Sequence, residues 1–212
     1  PAVAGRRHVR ARSVHPSRGG DGYAPLVPSD DLSPEPPAAP TPSAAPAARA
    51  IVRAARTSAV RALRALVAPQ AERRVLLNKE AVAYYESVSD FVVAEIDGAV
   101  VGCGALHVLW EDLGEVRTLV VAESALGSGV GSAVLRRLIE RARGLGLSRL
   151  FCLTFETEFF ARHGFEVIEG QAVDPEVYAE LLRSYDEGVA EFLDLERVKP
   201  NTLGNTRMLR KL

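Results

Sequence analysis

The feature that most restricts this chain is the run Leu119-Val120-Val121-Ala122-Glu123-Ser124-Ala125-Leu126-Gly127-Ser128-Gly129-Val130-Gly131-Ser132. An apolar, β-branched stretch gives way to three glycines at alternate positions, and a helical pattern follows. From Ser132 to about Arg143, Val134, Leu135, Leu138, Ile139 and Ala142 share one face, and Arg136, Arg137, Glu140 and Arg141 share the other. Strand, glycine turn and amphipathic helix in succession belong to an α/β arrangement. The glycines let main chain approach a ligand without a Cβ in the way. They stand where a helix N-terminus offers unpaired N–H groups and the positive end of its dipole. That combination suits a pyrophosphate. A plain tight turn is the alternative, but such a turn rarely needs three glycines. Two familiar phosphate loops fit badly. A Walker A loop needs Lys after its last glycine, and here Ser132 and Ala133 follow. A dinucleotide fingerprint needs G-x-G-x-x-G directly after a first strand, whereas the third position is Ser132 and several strands come earlier.

Around this run the pattern predicts a short strand at 50–54 and a helix that Thr57 or Ser58 starts and that ends near Pro69. A second helix is expected over 78–88. Strands over 91–96 and 100–106 flank Asp97-Gly98, a two-residue hairpin signal. A further strand is expected at 115–121 and another at 150–155. A short helix over 156–163, a strand at 165–169, a helix at 178–189 and a last strand at 206–212 complete the list. No internal repeat is present.

Composition divides the chain. Ten of the 13 prolines fall at or before Pro46, so residues 1–48, rich in Pro, Ala and Arg, are expected to be a disordered extension. Arg6, Arg7, Arg10, Arg12 and Arg18 lie there without an acid among the first 20 residues, which loosely suits a transit peptide, and no apolar core of a secretory signal follows. Residues 49–212 read as one globular domain. Lys and Arg number 26 against 27 Asp and Glu, and that balance excludes nucleic acid as the main partner. Two cysteines, Cys103 and Cys152, suffice for neither a disulfide scaffold nor a Cys-rich zinc site. His8, His15, His107 and His163 lack metal-ligand spacing, so no metal is expected. Apolar runs stay far below the roughly 20 residues that span a bilayer. A cytoplasmic protein without a membrane partner is the expectation.

The glycine run resembles motif A of the GCN5-related N-acetyltransferases (GNAT), Arg/Gln-x-x-Gly-x-Gly/Ala, with Gly129 and Gly131 matching and Leu126 where Arg or Gln is usual. Asp97-Gly98-x-x-Val101-Gly102, Glu115 to Val121, and Phe159-Phe160-x-x-His163-Gly164-Phe165 resemble that family's hairpin, fourth strand and aromatic segment. Leu150 to Thr154 and Val198 to Leu209 are similar to the short single-domain amino-acid N-acetyltransferases of the N-acetylglutamate synthase group. The resemblance implies a mixed, mostly antiparallel sheet with flanking helices and a splayed central strand pair, 115–121 and 150–155. It implies acetyl transfer from acetyl-CoA to the α-amine of free glutamate or glutamine, the first step of arginine biosynthesis. It allows a homodimer.

The same resemblance assigns roles. Leu119, Val120 and Val121 would offer N–H groups to pantetheine and the thioester oxygen. Leu126, Gly127, Ser128, Gly129, Val130, Gly131 and Ser132 would hold the diphosphate. Glu115 matches a general base, directly or through water, with a solvated strand-end acid as the alternative. Lys79, Thr206 and Arg207 are the substrate contacts the resemblance points to, and Arg117 joins them as an expected contact from strand alternation alone. Arg117 shares a face with Glu115, and either arginine could hold a carboxylate in two-pronged fashion. Phe160 stands where relatives often carry a proton-donating tyrosine, which leaves Tyr185, water, or an unprotonated thiolate. Two other readings stay open: a family member acting on another small amine or a protein N-terminus, and a non-catalytic acyl-CoA sensor.

Overall fold

The structure, a computed structural model, describes residues 50–73, 79–198 and 205–212. The proline-rich extension and the boundary placed at residue 48 lie outside them, as does Asn78. Seven strands form one sheet: β1 (Ile51–Ala54), β2 (Phe91–Ile96), β3 (Ala99–Val108), β4 (Leu113–Val121), β5 (Arg149–Thr154), β6 (Glu166–Val167) and β7 (Thr206–Lys211). Their spatial order is β1-β2-β3-β4-β5-β7-β6, and only the β4–β5 pair is parallel. Asp97 and Gly98, both at positive φ, make the tight turn of the β2–β3 hairpin.

Among the described residues six helices flank the sheet: α1 (Val60–Glu72), α2 (Ala81–Glu86), α3 (Val130–Gly144), α4 (Thr157–Arg162), α5 (Pro175–Leu181) and α6 (Glu187–Phe192). The apolar face of α3 is wholly buried, with Val134, Leu135, Leu138 and Ala142 at 0 % exposure. It packs on Val92, Ala94, Leu106 and Val116 of the sheet. Gly104 admits this closeness, because a Cβ there would lie 2.9 Å from Val134 and Leu138 carbons. On the opposite face α1 and Tyr84 cover Val93, Cys103, Ala105 and Val120. Beside them α5 and α6 cover Leu113 and Phe151.

Several boundaries differ from the sequence expectation: the helix expected over 78–88 is confined to Ala81–Glu86, the strands expected at 100–106 and 115–121 run over Ala99–Val108 and Leu113–Val121, and four further differences have an identifiable physical cause. Helix α1 passes through Pro69 to Glu72, because the ring removes one N–H near the helix end while Leu63 and Val67 anchor the turns before it. Helix α3 starts two residues early, at Val130, since Gly129 at φ +85° already supplies the sharp entry. The strand expected at 165–169 shrinks to an edge pair, Glu166–Val167. The helix expected at 178–189 is two helices. Pro175 starts the first, and Asp186 starts the second by accepting the Val189 N–H at 3.1 Å.

Candidate active site

The parallel pair β4–β5 is joined at three positions only, Leu113–Arg149, Gly114–Leu150 and Glu115–Phe151. Beyond Glu115 the strands part. Asp112 clamps the closed end, accepting from Arg149 Nε at 2.8 Å and Nη2 at 3.1 Å. On its other side β4 carries one residue more than β3 between Arg117 and Val120, and Thr118 takes φ +52° at this bulge. Bulge and missing partner together bare the main chain of Thr118 to Val121 along a cleft of about 560 Å³.

The far wall of the cleft is the glycine turn. Gly127 and Gly129 sit at φ +75° and +85°, and a Cβ at either would project into open space. Ala133 is the first residue of α3 whose N–H finds a backbone acceptor, Gly129 O at 3.0 Å. The N–H groups of Gly127, Gly129, Val130, Gly131 and Ser132 have no backbone acceptor among the described residues. The expected anion cradle is therefore open. Leu126, in the position of the usual Arg or Gln, is 66 % exposed at its rim.

Glu115 lies where β4 and β5 part, on the sheet face away from α3. Only 4 % exposed, it is no solvated strand-end acid. Burial raises its pKa, and the neighbouring Arg117 works in the opposite direction. Arg117 is on the same face, as alternation requires, and donates from Nε to Glu115 Oε2 at 2.6 Å. Its other end is engaged in two-pronged fashion by Asp186, with Nη1–Oδ2 at 3.0 Å. Asp186 was not singled out in the sequence, which puts it 69 residues from Arg117. Its placement beside Ser184 at a helix start was the available signal, because such a residue caps the helix and its free oxygen must go somewhere. Gly188 lets α6 lie directly on this pair, since a Cβ there would overlap the Glu115 carboxylate and the Arg117 guanidinium. His107 adds a bridge, with Nδ1 3.2 Å from Asp90 and Nε2 3.7 Å from Asp186.

Glu191, one turn after Gly188, was also missed. Burial, followed by the charge of Glu115, raises its pKa to about 7. The folded chain thus holds a proton that the unfolded chain releases at ordinary carboxylate pH. Stability accordingly falls as pH rises from about 4.5 to about 7, and the penalty is complete above that window. Glu191→Gln is expected to melt a few degrees above the parent at pH 8 and level with it at pH 4, as thermal unfolding followed by circular dichroism will show.

The remaining expected contacts are less closely gathered. Arg207 of β7 donates to the carbonyl oxygens of Phe192 and of Gly170, the latter at 3.2 Å, and its buried Nε has no partner among the described residues. Thr206 pairs with Thr154 at the cleft end of β5 and β7. Lys79 stands before α2, partly exposed and without an ion pair among the described residues. Tyr185 is 99 % exposed, so its hydroxyl points to water and away from any leaving group. Phe160 is buried, edge-on to Phe165 at 5.1 Å. Both cysteines are buried and free, and burial raises both thiol pKa values, so neither is a ready nucleophile. No group of three or more metal-ligating side chains occurs among the described residues. Likewise no described helix is long and apolar enough to cross a membrane.

A splayed parallel pair opening onto a glycine-lined helix start defines an acyl-carrier cleft of the acetyltransferase type. The family model of the acetyltransferase (GNAT) family matches residues 79–165. Over 164 residues the chain is 58 % identical to the amino-acid acetyltransferase of Mycobacterium tuberculosis, a match that covers 76 % of this chain and 94 % of the relative. The chain belongs to the acetyltransferase (GNAT) family. A crystal structure of Rv2747 from Mycobacterium tuberculosis in complex with CoA and NLQ superposes with a TM-score of 0.74 at 58 % identity, over 76 % of this chain and 99 % of that one. N-acetylglutamate synthase from Neisseria gonorrhoeae, complexed with coenzyme A and N-acetyl-glutamate, gives 0.63 at 28 % identity. That match covers 78 % of this chain and 35 % of the larger enzyme.

Proposed function

We propose that this protein uses acetyl-CoA to acetylate the α-amine of a free amino acid, glutamate or glutamine, as N-acetylglutamate synthases do at the start of arginine biosynthesis. The observation that carries this reading is the set of amides without a backbone acceptor, Gly127 and Gly129 to Ser132, facing a cleft that runs along the bared strand β4, while the Ser128 N–H is held by the Ala125 carbonyl at 3.3 Å. In this reading the turn amides hold the diphosphate, and the main chain of Leu119, Val120 and Val121 receives the pantetheine arm and the thioester oxygen. The amine attacks the thioester carbonyl, a C–N bond forms, and the C–S bond breaks as the thiolate leaves, while the proton that the acylated nitrogen gives up passes through water to solvent or to the leaving thiolate. Glu115 accepts the proton that the ammonium must lose, directly or through one water. With Arg117 counted, the carboxylates of Glu115 and Asp186 leave a negative balance that favours an approaching ammonium.

The acceptor's carboxylate falls to Arg207, with Thr206 and Lys79 as further candidate contacts. Arg117, already engaged by Glu115 and Asp186, serves instead to hold Glu115 in place. Arg207→Ala is expected to raise the KM for the amino acid at least tenfold, the size of a lost charge-assisted hydrogen bond pair, and to leave the KM for acetyl-CoA unchanged. Equal rises in both constants would point to a general collapse around Phe192. The function itself is tested by release of CoA thiol with each of the free amino acids in turn. Release with glutamate or glutamine supports the proposal. Release only with another amine or a protein N-terminus, or binding of acetyl-CoA without any release, would replace it.

A further inference from the structure

One end of the cleft carries a charge imbalance that the diphosphate cradle does not use. Ser132, in the first turn of α3, has its Oγ 3.0 Å from His163 Nε2, just past the end of α4. Three guanidinium groups surround this pair. Arg162 lines the cleft. Arg136 is one helical turn beyond Ser132, on the same side of α3. Arg210 donates to the His163 carbonyl. Burial first, and then the charges of Arg136, Arg210 and Arg162, lower the pKa of His163, with no carboxylate acting on it from the other direction. The nearby acids do not neutralise the cluster. Glu140 is bonded to Arg137 at 3.2 Å, and neither Glu156, which lines the cleft, nor Glu158, four residues before Arg162 on α4, makes an ion pair among the described residues. Neither Arg136 nor Arg162 has an ion pair among the described residues. Like charges gathered at a cleft without a counter-ion disfavour the free state and favour a multivalent anion.

We propose that Arg136 and Arg162, backed by Arg210 and the Ser132–His163 pair, form a second anion subsite that takes the ribose 3′-phosphate of coenzyme A. This rests on the assignment of the glycine turn to the diphosphate, because the subsite continues from the same helix start. A phosphomonoester is the group that guanidinium forks recognise best, and it is what separates coenzyme A from its dephospho form. The subsite therefore selects the carrier's nucleotide end and leaves the chemistry at Glu115 untouched.

Calorimetric titration of the full chain with CoA and with dephospho-CoA tests this without any turnover. The parent is expected to bind CoA about tenfold or more tightly than dephospho-CoA. In Arg136→Ala/Arg162→Ala the two affinities should converge to within about twofold, with dephospho-CoA binding unchanged. Both arginines are exposed, so the substitutions spare the core. Equal affinities in the parent, or an undiminished preference in the double variant, would overturn the phosphate subsite while the cradle stands. Loss of binding for both ligands in the parent would remove the cradle, and the subsite with it.

Discussion

Gly129→Glu will remove acetyl-CoA binding, with a loss of at least about 100-fold in calorimetric affinity. Two effects combine. Gly129 sits at φ +85°, where a residue with a Cβ costs about 1–2 kcal/mol. The glutamate side chain would then enter the open space next to the Gly129–Ser132 amides and present a carboxylate where an anion belongs. Gly129→Ala separates the two effects, since it carries the backbone strain without the charge. Its affinity should fall by less than about tenfold. A folded Gly129→Glu chain that binds acetyl-CoA as well as the parent would show that the carrier lies elsewhere.

Glu115→Gln should lower kcat by about 10²- to 10⁴-fold, the range of a positioned general base. The pH profile gives the sharper readout. Burial raises the Glu115 pKa, so the carboxylate that accepts a proton is populated only above that raised value. In the parent, kcat/KM therefore climbs as pH increases through it and then levels, whereas in Glu115→Gln this limb should flatten. The variant should remain folded, because Arg117 keeps its two bonds to Asp186 and the neutral amide still fills the space under Gly188. A variant that retains the parent's whole pH dependence would exclude Glu115 as the base.

Much of the scaffold was legible along the chain because its signals are local. The hairpin at Asp97-Gly98, the burial stripe of α3 and the glycine turn all follow from a few adjacent residues, and each appears where the pattern put it. The errors arose where distant partners decide. Nothing near Pro69 announces that Leu63 and Val67 hold α1 together beyond it. The cap at Asp186, which breaks one expected helix into two, had a local signal beside Ser184, but nothing local shows that the same carboxylate turns inward to a strand 69 residues earlier. Arg117 shows the same divide: its face follows from alternation, whereas its engagement by Asp186 does not.

The amino-acid sequence alone determined the family resemblance, the place of the glycine turn whose amides at Gly127 and Gly129 to Ser132 lack backbone acceptors, and the shared face of Glu115 and Arg117, because backbone freedom and strand period are properties of neighbouring residues. Only the tertiary structure decided which charges meet. It seals Glu115 beneath α6, joins Arg117 to Asp186, raises the pKa of Glu191, and leaves Arg136 and Arg162 without an ion pair among the described residues. The reason is that ionisation and pairing depend on solvent exclusion and on separations of a few ångströms, which chain folding sets between segments far apart in sequence.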